Sequence, residues 1–187
     1  MVYGILIPAL WLVWAVTWAV TSSWVKPIAW SATWQEQLAY RVPLWLAALL
    51  LVVPHWPRPL EIQIIPHSET SGAVGALLTA LGLGFAIWAR QVLGRNWSSD
   101  VAVKEKHELI RTGPYALARH PIYTGMSLAF IGTAVAIGDG RAFIAAAIAI
   151  ASFIYKLRLE ERVMRETFGA EYDAYAGRVK ALVPFLV

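Results

Sequence analysis

The sequence predicts an all-α integral membrane protein with about five transmembrane helices, in which a cytosolic loop and a C-terminal helical tail together form a pocket. Mean hydropathy is +0.55, and charged residues make up only 15% of the chain. Ten of the 187 residues are tryptophan, and the apolar residues form long runs almost without charge, so lipid is the expected solvent. The basic residues concentrate in two segments, which predicts a single polar face.

Five apolar runs are the predicted membrane helices, at residues 3–20, 38–53, 72–88, 122–137 and 142–157. Several are shorter than the roughly 20 residues that cross ~30 Å of hydrocarbon, so we expect local bilayer thinning or snorkelling side chains. The first run lacks the basic residues that precede a secretory signal, which predicts an uncleaved helix. In the second run only 42–53 is free of charge, and a re-entrant or interfacial helix is the alternative.

Small residues predict how the helices pack. Gly72, Ala76, Ala80 and Gly84 recur every four residues in the third run, and such a stripe lets another helix backbone approach closely. The Gly-Asp-Gly sequence at 138–140 predicts a tight turn that joins the fourth and fifth helices into a hairpin.

The distribution of lysine and arginine predicts the orientation. Twelve of the sixteen basic residues lie on the same side of a five-span arrangement, which the positive-inside rule makes cytoplasmic. The alternative role for these residues is a basic rim that binds lipid headgroups. They lie between the third and fourth runs (Arg90, Arg95, Lys104, Lys106, Arg111, Arg119) and after the fifth (Lys156, Arg158, Arg162, Arg165, Arg178, Lys180).

The composition excludes several classes of site. Zero cysteines exclude disulfides, thiol nucleophiles and cysteine-ligated zinc, and no residue spacing suggests a metal site, a dinucleotide loop or a phosphate loop. Nucleic-acid binding is not predicted, because no basic stripe carries interleaved aromatic residues. The length of 187 residues predicts one domain.

The stretch RTGPYALARHPIYTG, residues 111–125, places Arg119, His120 and Pro121 directly before the fourth apolar run. Proline suits the first turn of a helix, so the helix is predicted to begin at Pro121 with His120 near its N-cap. The free N–H groups and the positive end of the helix dipole predict an anion site at the membrane surface.

A second polar cluster follows the fifth run in KLRLEERVMRETFG, residues 156–169. Helical spacing puts Lys156 and Glu160 on one face and Glu161 with Arg165 on another. We expect Glu161 to lie on a solvated face with ion pairs. Glu160 lies about one turn beyond the bilayer edge, where its carboxylate is predicted to meet a cation at the mouth of the bundle.

The stretch HELIRTGPYALARHPIYTG, residues 107–125, resembles the isoprenylcysteine carboxyl methyltransferase family, together with the later pair Glu160 and Glu161 and with Phe168, Gly169, Tyr172, Tyr175 and Pro184. This wider membrane group includes phospholipid N-methyltransferases and small-thiol methyltransferases. The resemblance covers about residues 93–187 and implies an integral membrane enzyme that uses S-adenosyl-L-methionine in a cytosolic pocket. It implies a single membrane domain, 1–187, with variable first spans in 1–71 and a methyltransferase core in 72–187.

The resemblance also assigns cofactor-binding residues. Glu160 is expected to hold the cofactor's ammonium group, the start of the fourth helix its carboxylate, and aromatic faces its sulfonium. Lys156 stands where eukaryotic members carry an arginine thought to contact the substrate, and Ala181 where many relatives have a basic residue. The full predicted cofactor set is His107, Leu109, Ile110, Tyr115, His120, Pro121, Tyr123 and Glu160.

The expected reaction is carboxyl O-methylation of an isoprenylcysteine-like or other hydrophobic acceptor. A carboxylate with a pKa of about 3.3–3.7 is already ionised and needs no base, so Arg119 and Lys156 are the predicted catalytic residues that orient it. The alternatives are S-methylation of a small thiol or N-methylation of a phospholipid amine, for which His120 or Glu161 would be the base.

An alternative of a different class is a non-catalytic helical membrane subunit. A transporter is disfavoured, because the spans have almost no polar residues away from their ends. The predicted partners are a hydrophobic or lipidated small-molecule acceptor and membrane lipid, and the sequence does not specify an oligomeric state.

Overall fold

Six α-helices and one two-stranded sheet make up the part of the chain that the computed structural model describes, residues 2–53 and 55–182. Three 3-10 helices, Arg58–Leu60, Gly94–Asn96 and Gly113–Ala116, lie in the connections. The strands are β1 (Ile28–Ser31) and β2 (Ala102–Lys104). The helices are α1 (Tyr3–Ser22), α2 (Trp34–Val52), α3 (Glu69–Leu93), α4 (Pro121–Ile137), α5 (Gly140–Phe168) and α6 (Ala170–Ala176).

Each of the five predicted runs forms a helix. Within the described residues, α1, α3 and α5 are long and apolar enough to cross a membrane, whereas α4 is apolar but has only 17 residues. The helix α2 begins four residues before the predicted run because Thr33 caps it. The Thr33 hydroxyl accepts the N–H of Glu36 at 3.3 Å, and the Glu36 carboxylate accepts the N–H of Thr33 at 3.0 Å. Because three helices within the described residues have the length and hydropathy of a membrane span, five membrane crossings stay a prediction.

Glycines let α3 and α4 approach closely, but not along the predicted stripe. A Cβ on Gly75 would lie 2.6 Å from the Gly132 carbonyl oxygen, and a Cβ on Gly82 would lie within 2.6 Å of the backbone of α4. The predicted stripe is wrong at Gly84, which is exposed and has open space beside it. The contacting glycines on α3 are seven residues apart, about two helical turns, which keeps both on the face that meets the antiparallel helix α4. Gly72 instead meets the Tyr3 ring of α1.

The predicted hairpin between α4 and α5 is present. Gly138 ends α4 in the left-handed region with φ of 76°, which glycine adopts without a steric penalty. The Asp139 side chain then accepts the N–H of Ala142 at 3.1 Å and caps α5. Arg141 donates to the carbonyl of Leu50 at 3.2 Å and so ties this turn to the end of α2.

The helices form an alternating up-and-down bundle in which α3 packs on α4, α4 and α2 on α5, and α1 on α3. Within the described residues, α1 and α2 are not packed closely against each other. The sheet pairs β1 with β2 in antiparallel register, with Ile28 opposite Lys104 and Ser31 opposite Ala102. It thereby brings the connection after α1 and the loop after α3 together at the end of the bundle where α4 begins and α5 ends.

Candidate active site

A cavity of about 620 Å³ lies at that end of the bundle. Its walls come from the five long helices, from α6 and from the loop between α3 and α4. All ten predicted site residues line it: His107, Leu109, Ile110, Tyr115, Arg119, His120, Pro121, Tyr123, Lys156 and Glu160. The structure thus brings the motif before α4 and the motif on α5 to one place, while the roles assigned to these residues stay predictions.

The Glu160 carboxylate is the centre of the polar end of the cavity. The Tyr123 hydroxyl donates to Glu160 Oε1 at 2.5 Å, and His120 Nδ1 lies 3.4 Å from Oε2. Lys156, one turn earlier on α5, places Nζ 3.9 Å from Oε1. The Glu160 side chain is 23% exposed and lines the cavity, so a further hydrogen-bond donor can reach it there.

His120 at the N-cap of α4 bridges two carboxylates. Its Nδ1 faces Glu160, and its Nε2 lies 3.3 Å from Glu161 Oε1. A neutral imidazole carries one N–H, so two carboxylate partners favour the doubly protonated ring. Burial alone would lower the pKa of His120, but hydrogen bonds to Glu160 and Glu161 outweigh burial and raise it above its usual value. The His120 ring stacks on the Tyr123 ring, with the two ring centroids 5.7 Å apart.

Glu161 is buried rather than solvated, so the expectation of a solvated face is wrong. It accepts Arg119 Nε at 2.8 Å and Nη2 at 2.5 Å, and Arg165 Nη2 lies 3.3 Å away. Arg119 Nη1 also donates to the carbonyls of Ala176 at 3.2 Å and Val179 at 2.5 Å. The segment after α6 folds back over this face of α5, which removes Glu161 from solvent and occupies the Arg119 guanidinium.

The same segment is fastened to the start of α4 by its backbone. The N–H groups of Arg119 and His120 donate to the carbonyls of Lys180 at 2.8 Å and Ala181 at 2.9 Å. These donors precede the helix, where such groups need a partner other than the helix itself. Ala181 therefore contributes its backbone carbonyl to the start of α4. Pro184, the last residue of the recognised pattern, lies outside the described residues.

Lys156 is a buried cation on the cavity wall. Its Nζ donates to the Ser99 carbonyl at 2.8 Å and lies 5.0 Å from the Tyr40 ring centroid and 5.6 Å from that of Tyr123. Both distances lie within the range of cation–π attraction. Ser99 is part of the loop after α3, which is held by an ion pair between Asp100 and Arg41.

One stretch of the loop before α4, residues 107–110, lines the cavity with an imidazole and two apolar side chains besides Glu108. His107 Nδ1 accepts the N–H of Lys104 at 3.0 Å, which leaves the proton on Nε2. Burial first, then the positive charges of Lys26 and Lys104, lower the pKa of His107, so its ring is neutral at physiological pH. Leu109 and Ile110 follow along the same wall.

Tyr115 anchors this loop to α6. The Tyr175 hydroxyl donates to the Tyr115 carbonyl at 2.6 Å, and both side chains are buried. Burial raises the pKa of Tyr175 to about 12 and the pKa of Tyr115 well above its usual range, so both phenols stay protonated. Tyr115 therefore offers the cavity a neutral aromatic surface.

Sequence reasoning missed the apolar half of the cavity. The first two helices supply Trp11, Trp14, Trp18, Leu44 and Trp45 to its wall. The spacing of the three α1 tryptophans, three and then four residues, puts them on one helix face and is a signal that could have found them.

Known proteins resemble this chain over most of its length. Residues 70–171 match the phospholipid methyltransferase family model. A probable protein-S-isoprenylcysteine O-methyltransferase of Oryza sativa subsp. japonica is 30% identical over 144 residues, 75% of each chain. The protein-S-isoprenylcysteine O-methyltransferase of Saccharomyces cerevisiae is 31% identical over 132 residues, 67% of this chain and 55% of that protein. A cobalt-zinc-cadmium resistance protein of Cupriavidus metallidurans is 28% identical over 152 residues, 79% of this chain and 65% of that protein.

The three membrane-length helices and these matches together define an integral membrane methyltransferase. The chain belongs to the isoprenylcysteine carboxyl methyltransferase family, as its two motifs predict.

Proposed function

We propose that this methyltransferase uses S-adenosyl-L-methionine to methylate the carboxylate of an isoprenylcysteine-like or other hydrophobic acceptor, with the site and the C-terminus in the cytoplasm. The proposal rests on the groups that line one cavity. The lining includes the Glu160 carboxylate, the stacked rings of His120 and Tyr123, and the Lys156 ammonium group. Apolar side chains line the rest of the cavity.

The polar end of the cavity fits the charges of the methyl donor. Glu160 offers carboxylate oxygens to an ammonium group, and its orientation is fixed by Tyr123 and His120. Aromatic faces attract a sulfonium cation, and Tyr123 supplies one at the cavity wall. Neutral His107 with apolar Leu109 suits the uncharged adenine ring. When bound, S-adenosyl-L-methionine supplies an electrophilic methyl group.

Lys156 is the residue that we assign to the acceptor carboxylate. Its ammonium group faces the cavity and has one hydrogen-bond partner in the described residues, the Ser99 carbonyl. The aromatic side chains around it limit water, which strengthens its attraction for an anion. Arg119 was predicted for the same role, but Glu161 and backbone carbonyls occupy its guanidinium. We therefore assign Arg119 a positioning role.

The protonation of His120 favours a carboxylate over a thiol or an amine as the acceptor. A thiol or an amine must lose a proton to a base during methyl transfer. Because both ring nitrogens of His120 face carboxylates, the doubly protonated form is favoured, and that form has no free lone pair. An ionised carboxylate needs no proton transfer.

The acceptor class is tested by incubating the detergent-purified protein with methyl-labelled S-adenosyl-L-methionine and three acceptors. These are a farnesylcysteine analogue, phosphatidylethanolamine and a small thiol. We expect label in an alkali-labile methyl ester of the farnesylcysteine analogue and background levels with the other two. Label in phosphatidylethanolamine or in the thiol, without ester formation, would contradict the proposed acceptor.

Substitution of Lys156 tests its role. We expect Lys156→Met to lower kcat/KM for the carboxylate acceptor about tenfold to 100-fold, because a charge-assisted hydrogen bond contributes about 1.5–3 kcal/mol. Affinity for S-adenosylhomocysteine should change much less. Arg158→Met, two residues along on the exposed face of α5, is the matched control. Equal losses in both variants, or an unchanged kcat/KM in Lys156→Met, would remove Lys156 from the acceptor site.

A further inference from the structure

Two arms of one loop line the cavity. We call residues 94–110 the cavity loop, and its first arm, 96–102, and its last arm, 107–110, both belong to the cavity wall. Between the arms the loop turns away from the cavity and pairs with β1. The last arm carries three of the residues that are predicted to bind the methyl donor: His107, Leu109 and Ile110. The position of this arm therefore decides the shape of that part of the cavity.

Lys26, in the connection between α1 and α2, contacts both arms with its ammonium group. Its Nζ donates to Asn96 Oδ1 in the first arm at 2.8 Å and to the Lys106 carbonyl at 2.8 Å. It also lies 3.4 Å from Glu108 Oε1 in the last arm. An ammonium group has three donors, so these three acceptors use all of them. The Lys26 side chain is 18% exposed and Asn96 is buried, so the ammonium group joins the two arms largely out of water.

The last arm depends on Lys26 more than the first arm does. Within the described residues, the hydrogen bonds that residues 105–110 make with other elements end at Lys26 and at the Pro27 carbonyl. The first arm has a separate anchor, because the ion pair between Arg41 and Asp100 ties it to α2. Loss of Lys26 should therefore loosen the last arm and leave the first arm in place.

The backbone of Lys106 is consistent with this fastening. Its φ of 49° lies in the left-handed region, which residues with a Cβ seldom adopt, and no other non-glycine residue in the part of the chain that the structure describes has a positive φ. Such a conformation persists where the surrounding contacts favour it. The hydrogen bond from Lys26 Nζ to the Lys106 carbonyl is a contact of this kind.

We infer that Lys26 is a positioning residue for the methyl donor, which fastens the last arm of the cavity loop to the first arm and so keeps the donor's wall in place. Lys26 lies outside the cavity lining, so it acts through the loop. A loose wall must be ordered when the donor binds, and this ordering lowers the affinity. The inference rests on the proposed function, because it assigns the wall to S-adenosyl-L-methionine.

Replacing Lys26 with methionine keeps the length of the side chain and removes its charge and its donors. We expect Lys26→Met to bind S-adenosylhomocysteine about tenfold more weakly and to raise KM for S-adenosyl-L-methionine by a similar factor. The kcat and the KM for the farnesylcysteine analogue should change much less. Arg95→Met removes an exposed cation from the same loop and should bind S-adenosylhomocysteine as the parent protein does.

Arg41→Met tests whether the effect is specific to the last arm. It removes the ion pair that anchors the first arm, in which the Ser99 carbonyl accepts a hydrogen bond from Lys156. We therefore expect Arg41→Met to raise mainly the KM for the acceptor and to bind S-adenosylhomocysteine almost as the parent protein does. Equal losses of donor and acceptor affinity in both Lys26→Met and Arg41→Met would mean a general loosening of the loop and would overturn the inference.

Hydrogen–deuterium exchange of the unliganded protein gives a readout that requires neither donor nor turnover. The amides of residues 104–110 should exchange faster in Lys26→Met than in the parent protein or in Arg95→Met, while those of α4 and α5 stay protected. Unchanged exchange in Lys26→Met, or faster exchange that extends to α4 and α5, would overturn the inference.

The two measurements together separate this inference from the proposed function. Faster exchange of the last arm with unchanged affinity for S-adenosylhomocysteine would overturn the positioning role of Lys26 and leave the proposed reaction intact. Faster exchange of the last arm in Lys26→Met, when the parent protein itself does not bind S-adenosylhomocysteine, would support the fastening of the loop and contradict the proposed methyl donor.

Discussion

Replacing Glu160 with alanine is expected to weaken the binding of S-adenosylhomocysteine at least about 100-fold, while the protein still inserts and folds. Glu160 is the carboxylate on which Tyr123, His120 and Lys156 converge, and it remains partly open to the cavity. Its loss removes a charge-assisted hydrogen bond worth about 1.5–3 kcal/mol to the ligand's ammonium group. It also leaves the neighbouring cations without their counter-charge, so they repel that ammonium group.

Calorimetric titration of the detergent-purified variants measures this effect. Glu160→Gln keeps the side-chain size and should lose nearly as much affinity, because the ammonium group is attracted by charge. Glu166→Ala removes an exposed carboxylate from the same helix and should bind like the parent protein. Unchanged affinity in Glu160→Ala would remove Glu160 from the cofactor site.

The helices were predictable because hydropathy and end signals are local properties of the chain. All five apolar runs became helices, and Pro121 begins α4 as its residue type predicts. The ends were less accurate where a helix continues into water. The helix α5 extends to Phe168, eleven residues beyond its predicted end at 157, and Gly169 ends it with φ of 52°. Hydropathy marks only the part of a helix that lipid surrounds.

The polar end of the site was predictable for the same reason. Lys156 and Glu160 are one turn apart on a single helix, and His120 precedes Pro121 directly, so each half of the site is encoded within a few residues. The resemblance to known methyltransferases then indicated that the two halves belong together.

Contacts between distant segments were beyond such reasoning. The spacing of Glu161 and Arg165 is equally typical of a solvated helix, and only the fold of the last segment shows that Glu161 is buried. The small-residue stripe predicted on α3 was also wrong at Gly84, because glycines occur at more than one helical period. Gly84 satisfies the four-residue period, yet Gly82 makes the contact.

Replacing Arg119 with methionine is expected to lower the free energy of unfolding by about 3–5 kcal/mol, the cost of breaking a buried ion pair from one side. The Arg119 and Glu161 side chains are each only 11% exposed. Arg119 also donates to the carbonyls of Ala176 and Val179, so its loss leaves the final segment attached to the start of α4 by backbone hydrogen bonds alone. Methyl transfer should fall with the folded fraction and with the ordering of His120.

A double-mutant cycle with Glu161→Leu separates positioning from substrate contact. The pair Arg119→Met/Glu161→Leu leaves no unpaired buried carboxylate, and His120 keeps Glu160 as its partner, so the pair should be more stable than Arg119→Met alone. If Arg119 only positions His120 and the final segment, the double variant should regain part of the methyl transfer that Arg119→Met loses. Arg119→Lys should recover little, because a lysine cannot reproduce the forked contact with Glu161 and two carbonyls. Unchanged stability in Arg119→Met, together with lost acceptor affinity, would instead support the acceptor-orienting role that the sequence predicted for Arg119.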